Sequence, residues 1–207
     1  TIVASGANSC ILHYVENNQQ IQADDLVLID AGCEYDGYAA DITRTFPATG
    51  LFSKPQQAIY ELVLAAQEAA LQSVRPYESH FNEPHLAAVK TIAQGLIDLK
   101  ICQGTLEEVL ETESYKAFYM HRTGHWLGMD VHDVGEYKIN QAWQTLQPNM
   151  VFTVEPGCYI RPDPNVPETY WNIGVRIEDN ILMTETGFDI LTDAPKTIAE
   201  IQKVMGK

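Results

Sequence analysis

Apolar and polar positions divide the chain into a strand-rich opening, a helical middle and a strand-rich close. Two short apolar runs of β-forming residues come first, "CILHYV" at 10–15 and "LVLIDAGC" at 26–33, with the turn-like "ENNQQ" after the first. Residues 37–46, "GYAADITRTF", alternate and stop at Pro47, which predicts a third strand. Ser53 is placed to cap a helix, and Gln56 three residues on completes a capping-box pattern. The following "PQQAIYELVLAAQEAALQSV" carries apolar residues at helical spacing and ends before Pro76. A second helix is expected over about 82–100 and a shorter one after Gly104. "NMVFTVEPGCYI" (149–160) and "NIGVRIEDNILMT" (172–184) read as strands around a loop containing Pro162, Pro164 and Pro167, and a last helix covers roughly 195–205. Strands, then helices, then strands imply an α+β fold.

One echo within the chain matters more than these boundaries. "LIDAGC" closes a strand with Asp30, Gly32 and Cys33, and "TVEPGC" does the same with Glu155, Gly157 and Cys158. Each is followed by a strand with an embedded acid, Asp41 in "AADITRTF" and Glu178 in "GVRIEDN". Two related strand pairs therefore each place two acids inside apolar sequence, a short half-repeat with chemical content. Asp24, Asp25 and Asp179 are read instead as surface groups.

Composition narrows the partners. The chain has 207 residues, 45% hydrophobic and 20% charged, which suits one domain. A formal net charge of −15 argues against nucleic acid, whose phosphates need clustered Lys and Arg. No apolar run is long enough to cross a membrane, so no membrane partner is expected. Cys10, Cys33, Cys102 and Cys158 are far apart with no C-x-x-C, which points to reduced thiols in a cytoplasmic protein. No signal peptide is visible, and the opening "TIVASGANSC" reads as a cut into an existing domain.

An ionised carboxylate among Ile, Val and Leu costs several kcal/mol unless it is paired or bound to metal. Arg44 and Arg176 are near in sequence, but alternation sends Arg44 to the face opposite Asp41, while Arg176 shares a face with Glu178. Two arginines for four acids leave charge uncovered. Two divalent cations would balance it and, with one imidazole, could bind and ionise a bridging water. Mostly oxygen ligands with one nitrogen favour Mn²⁺.

"HRTGHWLGMDVHDVG" (121–135) gathers three of the six histidines, His121, His125 and His132. H-E-x-x-H fails, because Arg122 stands where the Glu would be, and Gly124 and Gly128 argue against a regular helix. One nitrogen ligand is enough, which frees two imidazoles for proton transfer and for holding substrate oxygens.

Together, "HRTGHWLGMDVHDVG", "DAGCEYDGYAADITRTF", "TVEPGCYI" and "GVRIEDN" resemble the bacterial Xaa-Pro aminopeptidase (aminopeptidase P) family of pita-bread metallopeptidases. The likeness runs from Ser5 to the closing helix. It implies a pita-bread fold with pseudo-twofold related strand pairs, residues 1–207 being a catalytic domain truncated at its N-terminal side. It implies a dinuclear-metal aminopeptidase that hydrolyses the N-terminal Xaa-Pro bond through a metal-bridging hydroxide. By resemblance, Asp30 chelates one metal, Asp41 and Glu178 bridge both, and His125 and Glu155 complete the other. Glu155 also handles the proton of the bridging water, and His132 stands beside the scissile carbonyl. His13 and His121 match substrate-side histidines, and Arg176 belongs to a network behind the bridging acids. Arg122, a departure from a relative's Gly, is expected to point away from the metals. The implied partners are peptides with proline second, and a homo-oligomer in the full-length protein. A prolidase restricted to dipeptides and a non-catalytic peptide-binding module are the other readings, separable by dipeptide against tripeptide hydrolysis and by metal content.

Overall fold

The computed structural model describes residues 1–207, and its elements follow the three-part pattern of the sequence. The opening contains β1 (Ile2–Ser5), β2 (Leu26–Ala31), β3 (Glu34–Tyr35), β4 (Tyr38–Ala39) and β5 (Ile42–Pro47). The middle contains α1 (Lys54–Gln72), α2 (Glu83–Asp98) and α3 (Leu106–Glu111). The close contains β6 (Lys138–Ile139), β7 (Ala142–Trp143), β8 (Val151–Val154), β9 (Gly157–Ile160), β10 (Ile173–Arg176), β11 (Asp179–Met183), β12 (Phe188–Ile190) and α4 (Ile198–Val204).

The helices start where the sequence says they must. Ser53 and Gln56 exchange bonds: Gln56 N donates to Ser53 Oγ at 3.4 Å, and Ser53 N donates to Gln56 Oε1 at 2.9 Å. Thr105 with Glu108 and Thr197 with Glu200 build the same box for α3 and α4. Ile59, Val63, Ala66 and Ala70 form the buried stripe of α1, which packs on the stripe of Val89, Ile92, Ala93 and Leu96 on α2. The same core takes in Phe152, Val154, Ile160, Val175 and Ile181 from β8 to β11, so the helices cover the later strands.

Every strand pairing is antiparallel. β1, β2 and β5 form one sheet, β8, β11 and β12 another, and β9 pairs with β10. The two assemblies meet along β5 and β10, where Thr45 Oγ1 donates to Arg176 O (2.9 Å) and accepts from Arg176 N (3.2 Å).

Two local readings of the sequence are corrected. "CILHYV" is not a strand: Gly6–Cys10 is a 3₁₀ turn, held by Ser9 Oγ donating to Gly6 O at 2.6 Å, and the chain then bends. Its apolar character serves packing only in part, since Cys10 and Tyr14 are buried while Ile11 and Val15 are exposed. The strand beside β2 is β1 instead, too short to stand out in the pattern. Residues 37–46 also do not run as one strand, because β4 and β5 are separated at Ala40 and Asp41.

The register from β2 to β5 continues through β3 and β4 to a two-residue turn at Asp36 and Gly37, with φ of +53° and +86°. Asp-Gly suits this turn because both central positions need positive φ. Along the same ladder Gly32 lies so close to Ala40 that a Cβ would sit 1.5 Å from the Ala40 carbonyl oxygen. Gly32→Ala is therefore expected to cost about 1–3 kcal/mol or more, as overpacking does. A lowered urea midpoint checks this, and the strain falls on the hairpin that carries Asp30 and Asp41.

Candidate metal centre

All four acids of the echo sit at strand ends or strand breaks. Asp30 is the penultimate residue of β2, and Asp41 stands immediately before β5. Glu155 lies in the gap between β8 and β9, and Glu178 in the gap between β10 and β11. The β8–β11 and β9–β10 pairings share one register, which sets Glu155 directly opposite Glu178. Like charges facing across a ladder destabilise it, so the break coincides with the chemistry.

Side-chain ligand atoms converge in three overlapping sets, within each of which they lie no more than 4.8 Å apart: Asp30, Asp41 and Glu178; His125, Glu155 and Glu178; Asp41, His125 and His132. His125 Nε2 is 3.3 Å from Asp41 Oδ2 and 3.5 Å from Glu155 Oε1. Its Nδ1–H donates to Trp126 O at 2.9 Å, which fixes the tautomer and leaves Nε2 facing the carboxylates.

These acids are charged at a cost. Burial pushes the Glu178 carboxyl well above the usual range, and Glu155 and Asp41 push it further. Burial raises Glu155 to about 7, although His125 and Arg176 pull it down. Asp30 is also raised by burial, against the pull of Arg176. For His125, burial works downward, but the bond to Asp41, the Trp126 carbonyl and the Glu155 charge win, so its net shift is upward. A proton can occupy Nε2 between two carboxylates, and the same position suits a cation. Among the protein's own cations only Arg176 reaches the cluster, through NH2 to Asp30 Oδ2 at 2.6 Å. Carboxylate oxygens with one imidazole nitrogen and too few cations fit divalent metal.

Three side chains that the sequence reading missed support the cluster. Thr43 Oγ1 donates to Glu178 Oε2 at 2.6 Å, and Thr153 Oγ1 donates to Glu155 Oε1 at 3.2 Å. Tyr159 OH receives Arg176 NH1 at 3.0 Å and bonds His121 Nε2 at 2.8 Å. His121 Nδ1–H donates to Arg122 O, so Nε2 accepts the tyrosine proton; burial lowers His121 to about 4 and keeps it neutral. Strand alternation was the available signal, since Thr43 follows Asp41 by two.

His132 is exposed and meets the His125 ring edge-on at 4.3 Å between centroids. His13 and His121 line the same cleft of about 740 Å³, with all five acid and imidazole groups on its walls. Arg122 turns to Asn82 and to the Trp143 ring, 4.9 Å from its centroid, so it has no place among the acids. Asp179 corrects the sequence reading. It is fully buried and ion-paired with Arg44 at 2.7 Å and Lys196 at 2.5 Å, two cations too far off in sequence to be read as its partners. Asp24 is exposed and Asp25 half-buried.

The description of metallopeptidase family M24 matches residues 1–185. The chain is 53% identical over 206 residues to the Xaa-Pro aminopeptidase of Haemophilus influenzae, covering 99% of this chain and 47% of that protein. It is 50% identical to the Escherichia coli Xaa-Pro aminopeptidase, with 99% and 46% covered. Among solved structures, Pseudomonas aeruginosa aminopeptidase PepP superposes with a TM-score of 0.97 at 56% identity, over 99% of this chain and 47% of that one. A substituted Escherichia coli aminopeptidase P in complex with substrate gives 0.95 at 48% identity, covering 99% and 46%. The chain thus spans about half the length of the curated relatives it matches.

Proposed function

We propose, from the premise that the chain belongs to metallopeptidase family M24 and has its pita-bread fold, that it carries the catalytic centre of an aminopeptidase removing an N-terminal residue that precedes proline. The observation that carries this reading is the convergence of Asp30, Asp41, Glu155 and Glu178 on His125 with a single arginine to offset them. Those five residues would hold two divalent cations, four negative charges against four positive. Bound cations supply Lewis acidity and bring the pKa of water toward neutrality. The donor set favours Mn²⁺.

The chain's own residues supply the rest. Glu155, held by Thr153 Oγ1 at the wall of the cleft, would take a proton from the attacking water and later return it. His132, at the open side of the cleft, donates toward the scissile carbonyl oxygen as charge develops there. Neutral His121 and exposed His13 orient the peptide, and Arg176 fixes Asp30 from behind. Leu12, Phe81, Tyr137 and Trp143 are the apolar lining of the cleft and suit a pyrrolidine ring. The preference for proline rests on the names of the relatives. Four free cysteines accord with a reducing, cytoplasmic compartment, and assembly of the longer protein as a homo-oligomer belongs to the same proposal. No helix is long and apolar enough to cross a membrane.

The test pairs metal content with three peptides: Xaa-Pro-Xaa, Xaa-Ala-Xaa and the dipeptide Xaa-Pro. Near two Mn²⁺ per chain and release of the first residue from Xaa-Pro-Xaa are expected. Absence of bindable Mn²⁺ removes the reading, and cleavage of the dipeptide alone replaces it with a prolidase.

A further inference from the structure

Behind the acid cluster lies a second charged group that touches no proposed ligand's carboxylate. Asp179, fully buried, receives Arg44 NH2 at 2.7 Å, Lys196 Nζ at 2.5 Å and Gln67 Nε2 at 3.1 Å. Gln67 Oε1 in turn accepts Lys196 Nζ at 3.0 Å. Both cations neutralise the same carboxylate, yet of the two only Arg44 reaches the main chain of a proposed ligand. Its NH1 donates to Glu178 O at 2.7 Å and to Thr43 O at 2.9 Å, one carbonyl from each half of the molecule. Its remaining donors go to Ala194 O and Pro195 O, just before α4.

Thr43 completes the hold. Its carbonyl accepts Glu178 N at 3.1 Å, and its hydroxyl donates to Glu178 Oε2 at 2.6 Å. Glu178 is therefore gripped at its N–H, its carbonyl and its carboxylate by the dipeptide Thr43–Arg44. Asp41 stands two residues before Thr43, immediately ahead of β5. Asp41 and Glu178 are the two acids proposed to be shared by both cations, and they come from different hairpins.

We infer that Arg44 is a positioning residue for the metal pair, fixing the separation of the Asp41 and Glu178 strands through the Thr43 and Glu178 carbonyls while Asp179 anchors its guanidinium. The inference rests on the two-cation reading of the site. A planar fork can meet a carboxylate with one nitrogen and two carbonyls with another, whereas an ammonium is a single point of charge. Lysine at 44 thus keeps Asp179 neutralised and loses the span.

Lys196 supplies the control, because it serves Asp179 without touching either carbonyl. Mn²⁺ affinity measured calorimetrically on the native protein, Arg44→Lys and Lys196→Gln, with melts in chelator, separates the roles. Arg44→Lys is expected to weaken Mn²⁺ binding about 10-fold or more, as loss of an outer partner of a metal ligand does. Lys196→Gln is expected to lower the chelator-treated melting temperature and leave Mn²⁺ affinity well short of the roughly 10-fold loss that marks an outer partner. Native affinity in Arg44→Lys, or equal weakening in both variants, overturns the inference. Should Arg44→Lys fail to fold, Asp179→Asn, which keeps the shape and releases the guanidinium, carries the same comparison, and its native affinity has the same meaning. Absence of Mn²⁺ binding by the native protein overturns the reading of the site itself, and the inference with it.

Discussion

Glu178→Gln is expected to raise the stability of the metal-free protein and, in the same molecule, to abolish Mn²⁺-dependent turnover. Glu178 is 1% exposed, faces Glu155, Asp41 and Asp30, and has Thr43 Oγ1 as its side-chain donor. Glutamine fills the same volume and can still accept from Thr43, so little is lost beyond the charge. Burial, with Glu155 and Asp41, holds the Glu178 carboxyl well above the usual range, and that penalty leaves with the charge. A higher melting temperature in chelator follows, each ~1 kcal/mol being worth roughly 2–4 °C in a chain of this size. Mn²⁺ should then stabilise the native protein by about 2.7 kcal/mol at a hundred times its Kd, and the variant by far less. Turnover should drop by more than the roughly 10–100-fold that losing an outer partner costs. Paired melts with chelator and with Mn²⁺ decide it: a variant that melts lower in chelator, yet responds normally to Mn²⁺, contradicts the crowded-anion account.

The second large effect is a reversal of the pH dependence of stability. Glu155 at about 7, with Glu178 and Asp30 also raised, holds protons more firmly in the folded chain than in the unfolded one. Such groups contribute stability that is full below the ordinary carboxylate range and is lost as pH rises through their folded values. His125 is raised and acts in the same direction. His121 and His85, lowered by burial to about 4 and about 3, act oppositely, through the pH values around 6.5 at which the unfolded chain releases their protons. The raised groups dominate from about pH 7 to 8, across which the metal-free protein should lose stability. Mn²⁺ needs those groups deprotonated, so with saturating metal stability should rise across the same window. Urea midpoints at both ends, with and without Mn²⁺, measure the two slopes, and slopes of the same sign would contradict the assignment.

Much of this site is legible in the sequence because its chemistry is repeated. "LIDAGC" and "TVEPGC" mark two strand ends that need the same thing, and each is followed by another acid, Asp41 in one case and Glu178 in the other, at different removes. The first helix is legible through its capping box at Ser53, while α2 begins at Asn82 without one. What stays hidden depends on partners from far along the chain. Asp179 reads as a surface acid until Arg44 and Lys196 are brought to it from opposite sides. Thr43 and Thr153 carry no motif: Thr43 takes its value from the Glu178 carboxylate across the junction, and Thr153 from Glu155 two residues along its own chain. "CILHYV" misleads for another reason: a run of apolar letters says nothing of whether they share a face, and Ile11 and Val15 face solvent. The Asp36–Gly37 turn was open to reading and shows the hairpin tip that a single strand over 37–46 conceals.

The seam between the halves has one more consequence. Glu178 N–H reaches Thr43 O, and the Thr45 hydroxyl bonds both main-chain groups of Arg176, so the early and late hairpins are stitched at the very place where their anions are thrust together. Neither hairpin owns a complete set of donors. A cation lodged there would act as a clasp, absent from any partly opened form and closing only on the docked pair. Protease resistance of the junction should for that reason track occupancy of the clasp rather than the strength of either hairpin alone.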